Sequence, residues 1–158
     1  MEYGGFWIRL VAYFIDGIIV TVLFFILIFI LSAIGIIDFA WMAEFDAAEQ
    51  AGAEPDPAAV MAMMQQIGSI YLVGIVLAWL YEALLTSSAM QATPGKMVFG
   101  LRVTTLDGQQ IGFGRATGRF FGKIVSGIIA NIGYLMIAFT ERKQGLHDMM
   151  ASTLVVRG

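Results

Sequence analysis

Long apolar runs, each broken by a single charge, dominate the chain. From Leu10 to Ile37 the one charged residue is Asp16. A second run, IGSIYLVGIVLAWLYEALLT at 67–86, carries only Glu82, near its end. A third, Phe120 to Phe139, carries only Lys123, near its start. At roughly 1.5 Å of rise per residue, each run is long enough as a helix for a hydrocarbon core about 30 Å thick. The first is too long for the apolar core of a signal peptide. The first two runs predict transmembrane helices. Two β-like stretches lie beyond the second run: LRVTTLDGQQI at Leu101–Ile111 contains an Asp-Gly hairpin signal, and TLVV at Thr153–Val156 reads as a strand.

Composition agrees with a bilayer solvent. The 158 residues are 59% hydrophobic and 13% charged, with a mean hydropathy of +0.81; a soluble domain of this size leaves too much surface exposed to hide that much apolar area. The absence of cysteine excludes disulfides, thiolate metal sites and cysteine catalysis. The net charge of −3 conceals a sharp segregation. Residues 38–66 hold Asp38, Glu44, Asp46, Glu49, Glu54 and Asp56 with no Lys or Arg, whereas Lys96, Arg102, Arg115 and Arg119 face one acid, Asp107, after the second run. The positive-inside rule predicts the acidic connection outside a bacterial inner membrane, with the N-terminus and the 87–119 segment in the cytoplasm.

The expected fold class is an all-α integral membrane protein with a small cytoplasmic β-element. One membrane domain covers residues 1–158, with spans at about 10–37 and 67–86, an apolar segment at 120–139 and a tail at 140–158. Positive charge flanks both ends of the third apolar segment. That suits a re-entrant hairpin bent near Asn131-Ile132-Gly133; a full span is the alternative.

The charges inside the apolar runs are the candidate site. Arg9, Asp16, Glu82, Arg119 and Lys123 are predicted at one depth, toward the cytoplasmic face. Arg9 is long enough to snorkel to water, whereas Asp16 is short and needs a partner. Gly114, Gly118, Gly122, Ser126 and Ala130 recur at four-residue steps, a small-residue seam that predicts close helix packing and brings the neighbouring cations to Asp16 or Glu82; a step of four drifts by about 40°, so only two or three consecutive steps share one contact. Such a cluster either locks helix register or provides an ion path. A third reading gives Arg115, Arg119 and Lys123 to lipid headgroups at an interfacial helix.

Other features carry less. Asp56-Pro57 marks a helix start, which carries Met61, Met63 and Met64 outside the bilayer; with no His or Cys beside them, packing is the expected role, ahead of Cu(I) binding. ATPGK at Ala92–Lys96 lacks phosphate-loop spacing and reads as a turn with Lys96 at the interface. His147-Asp148 has no nucleophile placed by a motif, so neither an enzyme nor a cofactor or metal site is expected. The nine scattered basic residues make no nucleic-acid stripe.

Three separated stretches, GFWIRLVAYFIDGIIV at Gly5–Val20, ATPGKMVFGLRVTTLDGQQIGFGRA at Ala92–Ala116 and ERKQGLHDMMASTLVV at Glu141–Val156, together resemble the RDD family of small membrane proteins. Its named arginine and two aspartates fall on Arg9, Asp16 and Asp148. The resemblance adds Asp148 to the candidate charge cluster. It implies transport, of a sodium/proton type in some members, or attachment to other membrane machinery. A chain with so few helices and no internal repeat then needs a homo-oligomer or a larger complex in the lipid bilayer.

Overall fold

The structure, a computed structural model, describes residues 2–129 and 132–158. In chain order the elements are β1 (Glu2–Tyr3), α1 (Phe6–Ala33), α2 (Ala40–Ala51), α3 (Pro57–Ser87), α4 (Pro94–Val98), β2 (Leu101–Thr105), α5 (Phe113–Ile128), α6 (Ile132–Phe139), α7 (Leu146–Met150) and β3 (Thr153–Arg157). They form two compact units: Met1–Val20 with Ala78–Gly158, and Thr21–Leu77. The protein is an all-α membrane architecture with one small sheet, as the hydropathy predicts.

Both α1 and α3 are long and apolar enough to cross a membrane. Their limits differ from the expected ones. α1 starts earlier, at Phe6, because Arg9 does not end the helix: it is bonded within the protein, as described below. It stops at Ala33, where Ile36 and Ile37 donate back to the Leu31 carbonyl and Gly35 turns at φ +75°, a glycine-based helix stop. α3 starts at Pro57 as anticipated, with Asp56 Oδ1 accepting the Ala58 N–H at 2.7 Å.

In the Thr21–Leu77 unit the acidic connection is more ordered than its charge suggested. Asp38 Oδ1 accepts the Ala40 N–H, and α2 runs through AWMAEFDAAEQA until Gly52 at φ +61° ends it. Ala, Glu and Gln are strong helix formers, so local propensity accounts for it. Of the three methionines expected to pack, Met63 is half-buried, while Met61 and Met64 are exposed.

The other unit is built on a three-stranded sheet of order β1-β3-β2, antiparallel throughout. The strand-like stretches pair in the register Val103↔Val155 and Thr105↔Thr153. The Asp107-Gly108 turn carries the chain back, with Gly108 at φ +79° and Thr105 N–H donating to Gln109 O. Leu101, Val103, Val155, Ile111, Ala12, Ala83 and Ala116 make the apolar core, and Ile8, Trp79 and Phe99 pack on it.

The third apolar segment divides into α5 and α6, whose axes differ by 103°. The expected bend falls partly on Asn131, outside the described residues. The pair folds out from β2 and back to β3, held by Tyr134 Oη donating to the Lys123 carbonyl at 3.1 Å. α5 buries Ala116, Arg119, Gly122 and Ser126, one face of a helix by their spacing. Gly114 and Gly118 are exposed with open space around them, so only the Gly122–Ser126 half of the expected seam packs within the chain; Ala130 lies outside the described residues. A step of four drifts around the helix by about 40° per step, so one contact cannot hold the whole series.

Gly133 of α6 meets that seam directly: a Cβ there falls 2.7 Å from Ser126 Cβ. Gly133→Ala is therefore expected to destabilise by about 1–3 kcal/mol through overpacking. Gly127→Ala, which points into open space, is expected to be neutral or stabilising by up to about 1 kcal/mol. Thermal midpoints in detergent check both, and equal effects refute the α5–α6 packing.

Candidate functional site

Five charged side chains join four helices in one unbroken series. Arg9, in the first turn of α1, is only 9% exposed, so it does not snorkel to water. Its Nη1 donates to Asp148 Oδ2 at 2.6 Å, its Nε to the Gly4 carbonyl at 2.7 Å and its Nη2 to the Lys143 carbonyl at 2.6 Å. Asp148, on α7, is fully buried. Its second oxygen accepts Arg119 Nε from α5 at 2.8 Å, and Oδ2 also accepts the Gly145 N–H at 3.2 Å. Arg119 continues through Nη1 to Glu82 Oε1 of α3 at 2.9 Å, where Lys123 Nζ also donates at 2.5 Å. Each guanidinium spans at least two partners, which its planar fork of five donors permits.

Asp16 does not join this series. Its Oδ2 accepts the Thr93 hydroxyl at 2.5 Å, and its Oδ1 accepts the Gly95 N–H at 2.8 Å and the Tyr81 hydroxyl at 2.9 Å. Lys96 Nζ stands 4.0 Å from Oδ2 and donates instead to Thr93 Oγ1 at 3.0 Å. The ATPGK stretch is thus a clamp on Asp16, and Lys96 is buried, not interfacial as its sequence position suggested. Thr93 is extended and Pro94 opens the one-turn α4, which aims the Gly95 N–H at the carboxylate. Glycine is required there: a Cβ on Gly95 falls 2.2 Å from the Ala12 carbonyl oxygen and 2.8 Å from Asp16 Cγ.

The cations flanking the small-residue seam therefore reach Glu82 and not Asp16. Of the headgroup trio, Arg119 is buried and Lys123 is paired, leaving Arg115 exposed. Thr93, Gly95, Lys96 and Tyr81 were not singled out as site residues. The signal for three of them was present in TPGK, a Pro-Gly turn flanked by two polar side chains. Tyr81 had none. Among the described residues, no group of three or more His, Asp or Glu side chains is placed to hold a metal ion.

His147 packs on the Tyr134 ring with centroids 5.1 Å apart, and its Nδ1 lies 3.5 Å from Ser126 Oγ. Burial pushes its pKa down to about 3, against the pull of Asp148. Burial opposes ionisation of Asp148 as well, but the Arg119 and Arg9 guanidiniums hold its carboxyl well below the usual range. Lys96 is drawn down to about 7, first by burial and then by the Lys123 ammonium, while Glu82 and Asp16 act to raise it.

Two apolar helices long enough to cross a membrane, whose Arg9 and Glu82 are held in buried ion pairs with α7 and α5, define a small integral membrane protein. The RDD family's sequence profile matches residues 3–152, the acidic connection lying within those limits. The chain belongs to the RDD family. It is 41% identical over 153 residues to "Uncharacterized protein YxaI" of Bacillus subtilis, covering 97% of this chain and 96% of that one. It is also 29% identical over 160 residues to "Uncharacterized membrane protein YteJ" of the same organism, covering 98% and 80% respectively. No solved structure shows a significant match.

Two outcomes follow. Gly95→Ala is expected to cost about 3 kcal/mol, the upper end for overpacking because the clash is with backbone; a thermal midpoint equal to wild type contradicts the clamp. Acid is expected to destabilise in two stages. The unfolded chain protonates His147 below its ordinary 6.5 and Asp148 below its ordinary 3.8, whereas the folded chain resists both, so stability falls with pH across these windows. His147→Gln should flatten the thermal midpoint between pH 6.5 and 4; an unchanged slope refutes this assignment.

Proposed function

We propose that this chain is a non-catalytic accessory or assembly subunit of the bacterial inner membrane, packing against a larger membrane complex or further copies of itself. The observation that carries this reading is that the buried acids are already partnered. Asp148 lies between two guanidiniums, Glu82 between Arg119 and Lys123, and Asp16 inside the Thr93–Gly95 clamp with Tyr81. An ion path needs a carboxylate that can exchange its partner for the ion, and partners this close oppose that exchange. The nearly bare spans agree: only Arg9, Ala12 and Asp16 of α1 are buried by the chain itself, which leaves its apolar surface to lipid and to other helices.

The charge segregation supports an orientation with the acidic connection 38–66 outside and the sheet in the cytoplasm. The antiparallel pairing of β2 with β3 supports the reading in which the 101–105 segment and the tail share one side and α5 and α6 are re-entrant. A second reading, ion exchange by an oligomer through Asp16 and Glu82, draws on two points: both acids stand on the spanning helices, and burial draws the pKa of Lys96, 4.0 Å from Asp16, down to about 7.

Extraction in mild detergent followed by native mass separates the readings when combined with flux. The accessory role predicts an assembly larger than the single chain and no pH-gradient-driven cation flux in proteoliposomes. Flux that Asp16→Asn abolishes without unfolding would instead establish ion exchange, and a solitary inactive chain would remove both.

A further inference from the structure

Helix α5 is inverted relative to an amphipathic helix in water, which turns its apolar stripe to the core and its charges outward. Its buried positions are Ala116, Arg119, Gly122 and Ser126, and Lys123 is drawn inward to Glu82. Phe121, Ile124 and Ile128 are exposed instead, Ile128 at 78%. On α6 the apolar surface continues through Leu135 and Phe139, the latter 86% exposed. Among the described residues of 116–139 no charged side chain is exposed. Exposed charge stands only at the two ends, with Arg115 in the first turn of α5 and Glu141 and Arg142 just after α6. The same compact unit shows a matching apolar face on α1, where Trp7, Val11, Phe14 and Ile18 are exposed. By their spacing these four share one face of a helix long and apolar enough to cross a membrane. The lengths of α5 and α6 limit how deep the pair can reach. α5 has 16 residues and α6 has 8, about 24 and 12 Å at 1.5 Å per residue. Neither leg alone crosses a hydrocarbon core of roughly 30 Å, and with axes 103° apart they do not add end to end.

We infer that the exposed face of α5 and α6 is a lipid-contact surface. The pair lies within one leaflet, on the side of the sheet, with its apolar side chains among the acyl chains. Arg115 and Arg142 stand at headgroup level, where anionic lipid favours them and Glu141 offsets part of that attraction. Lipid, not a second helix, covers this face. The inference goes beyond the assembly role, because it leaves the bare spans as the surface open to a partner. It rests on the re-entrant reading of α5 and α6, which the experiment reads separately.

The full chain has no cysteine, so single-cysteine variants at exposed positions report on depth and side. Ile128→Cys and Leu135→Cys, each carrying a fluorophore, are reconstituted in vesicles of phosphatidylglycerol and phosphatidylethanolamine. Both are expected to be quenched by lipid brominated on its acyl chains about 5–10 Å below the headgroups, and to keep their signal in aqueous iodide. Arg115→Cys and Arg142→Cys, in membrane vesicles of known sidedness, are expected to react with an impermeant maleimide from the same side. All four side chains are exposed, so thermal midpoints equal to wild type confirm that each variant folds. Reaction from opposite sides would establish a full span and overturn both this inference and the re-entrant reading. Same-side reaction without bromolipid quenching at either position would overturn the lipid surface alone. Iodide quenching would then place the face in water, and disulfide cross-linking between two Ile128→Cys chains would place a second copy there.

Discussion

One carboxylate held between two guanidiniums organises the sheet-bearing unit. Asp148 is fully buried and receives Arg9 from α1 and Arg119 from α5 on its separate oxygens. Taking three charges out of water costs several kcal/mol per ion, and the arrangement is tolerable only because the pairing is close and the remaining donors find backbone carbonyls. Such a site gives little net stability over an apolar core. It gives geometry, since Arg9 of α1 and Arg119 of α5 must both meet the one carboxylate on α7. Removing one partner leaves a buried charge unpaired, a loss of about 3–5 kcal/mol.

The rest of the unit follows from that fixed point. Arg9 also bonds the Gly4 and Lys143 carbonyls, so the chain entering α1 and the chain entering α7 are tied to the same side chain. β1 and β2 then flank β3, which follows α7 after a short turn. Arg119 extends the series to Glu82 and so anchors the end of α3. Asp16 makes a separate fixed point two turns along α1, where it draws α4 against the helix and admits only glycine at position 95. Two buried charged clamps, at Arg9 and Asp16, thus fix the first turns of α1 within this unit.

Much of this was legible in the sequence, and the reasons for the remainder are physical. The spans followed from hydropathy, the strand character of 101–105 and 153–156 from their β-like composition and the Asp-Gly turn, and the start of α3 from Asp56-Pro57. The charges inside apolar runs marked the site, because their cost in lipid demands partners. What pattern could not provide was the pairing itself. Depth placed Asp16 beside Arg9 and Glu82, but tertiary contacts assigned it to Thr93 and Gly95 instead, and gave Arg9 to a tail residue 139 positions away. The small-residue series carries its own limit: a four-residue step drifts around the helix, so only a few consecutive steps share one contact, and Gly122–Ser126 is the pair that packs within the chain. α2 was hidden by its acidity, which masks good helix propensity.

The claim that the Asp148 clamp holds the unit together is tested most directly by a double-mutant cycle on Arg119→Met and Asp148→Leu, read as unfolding free energy in detergent. The account predicts a coupling energy of about 2–3 kcal/mol, the double variant being much less destabilised than the two single losses added together. Additivity to within about 0.5 kcal/mol would contradict it, and would mean that the two residues contribute separately and the clamp does not organise the fold.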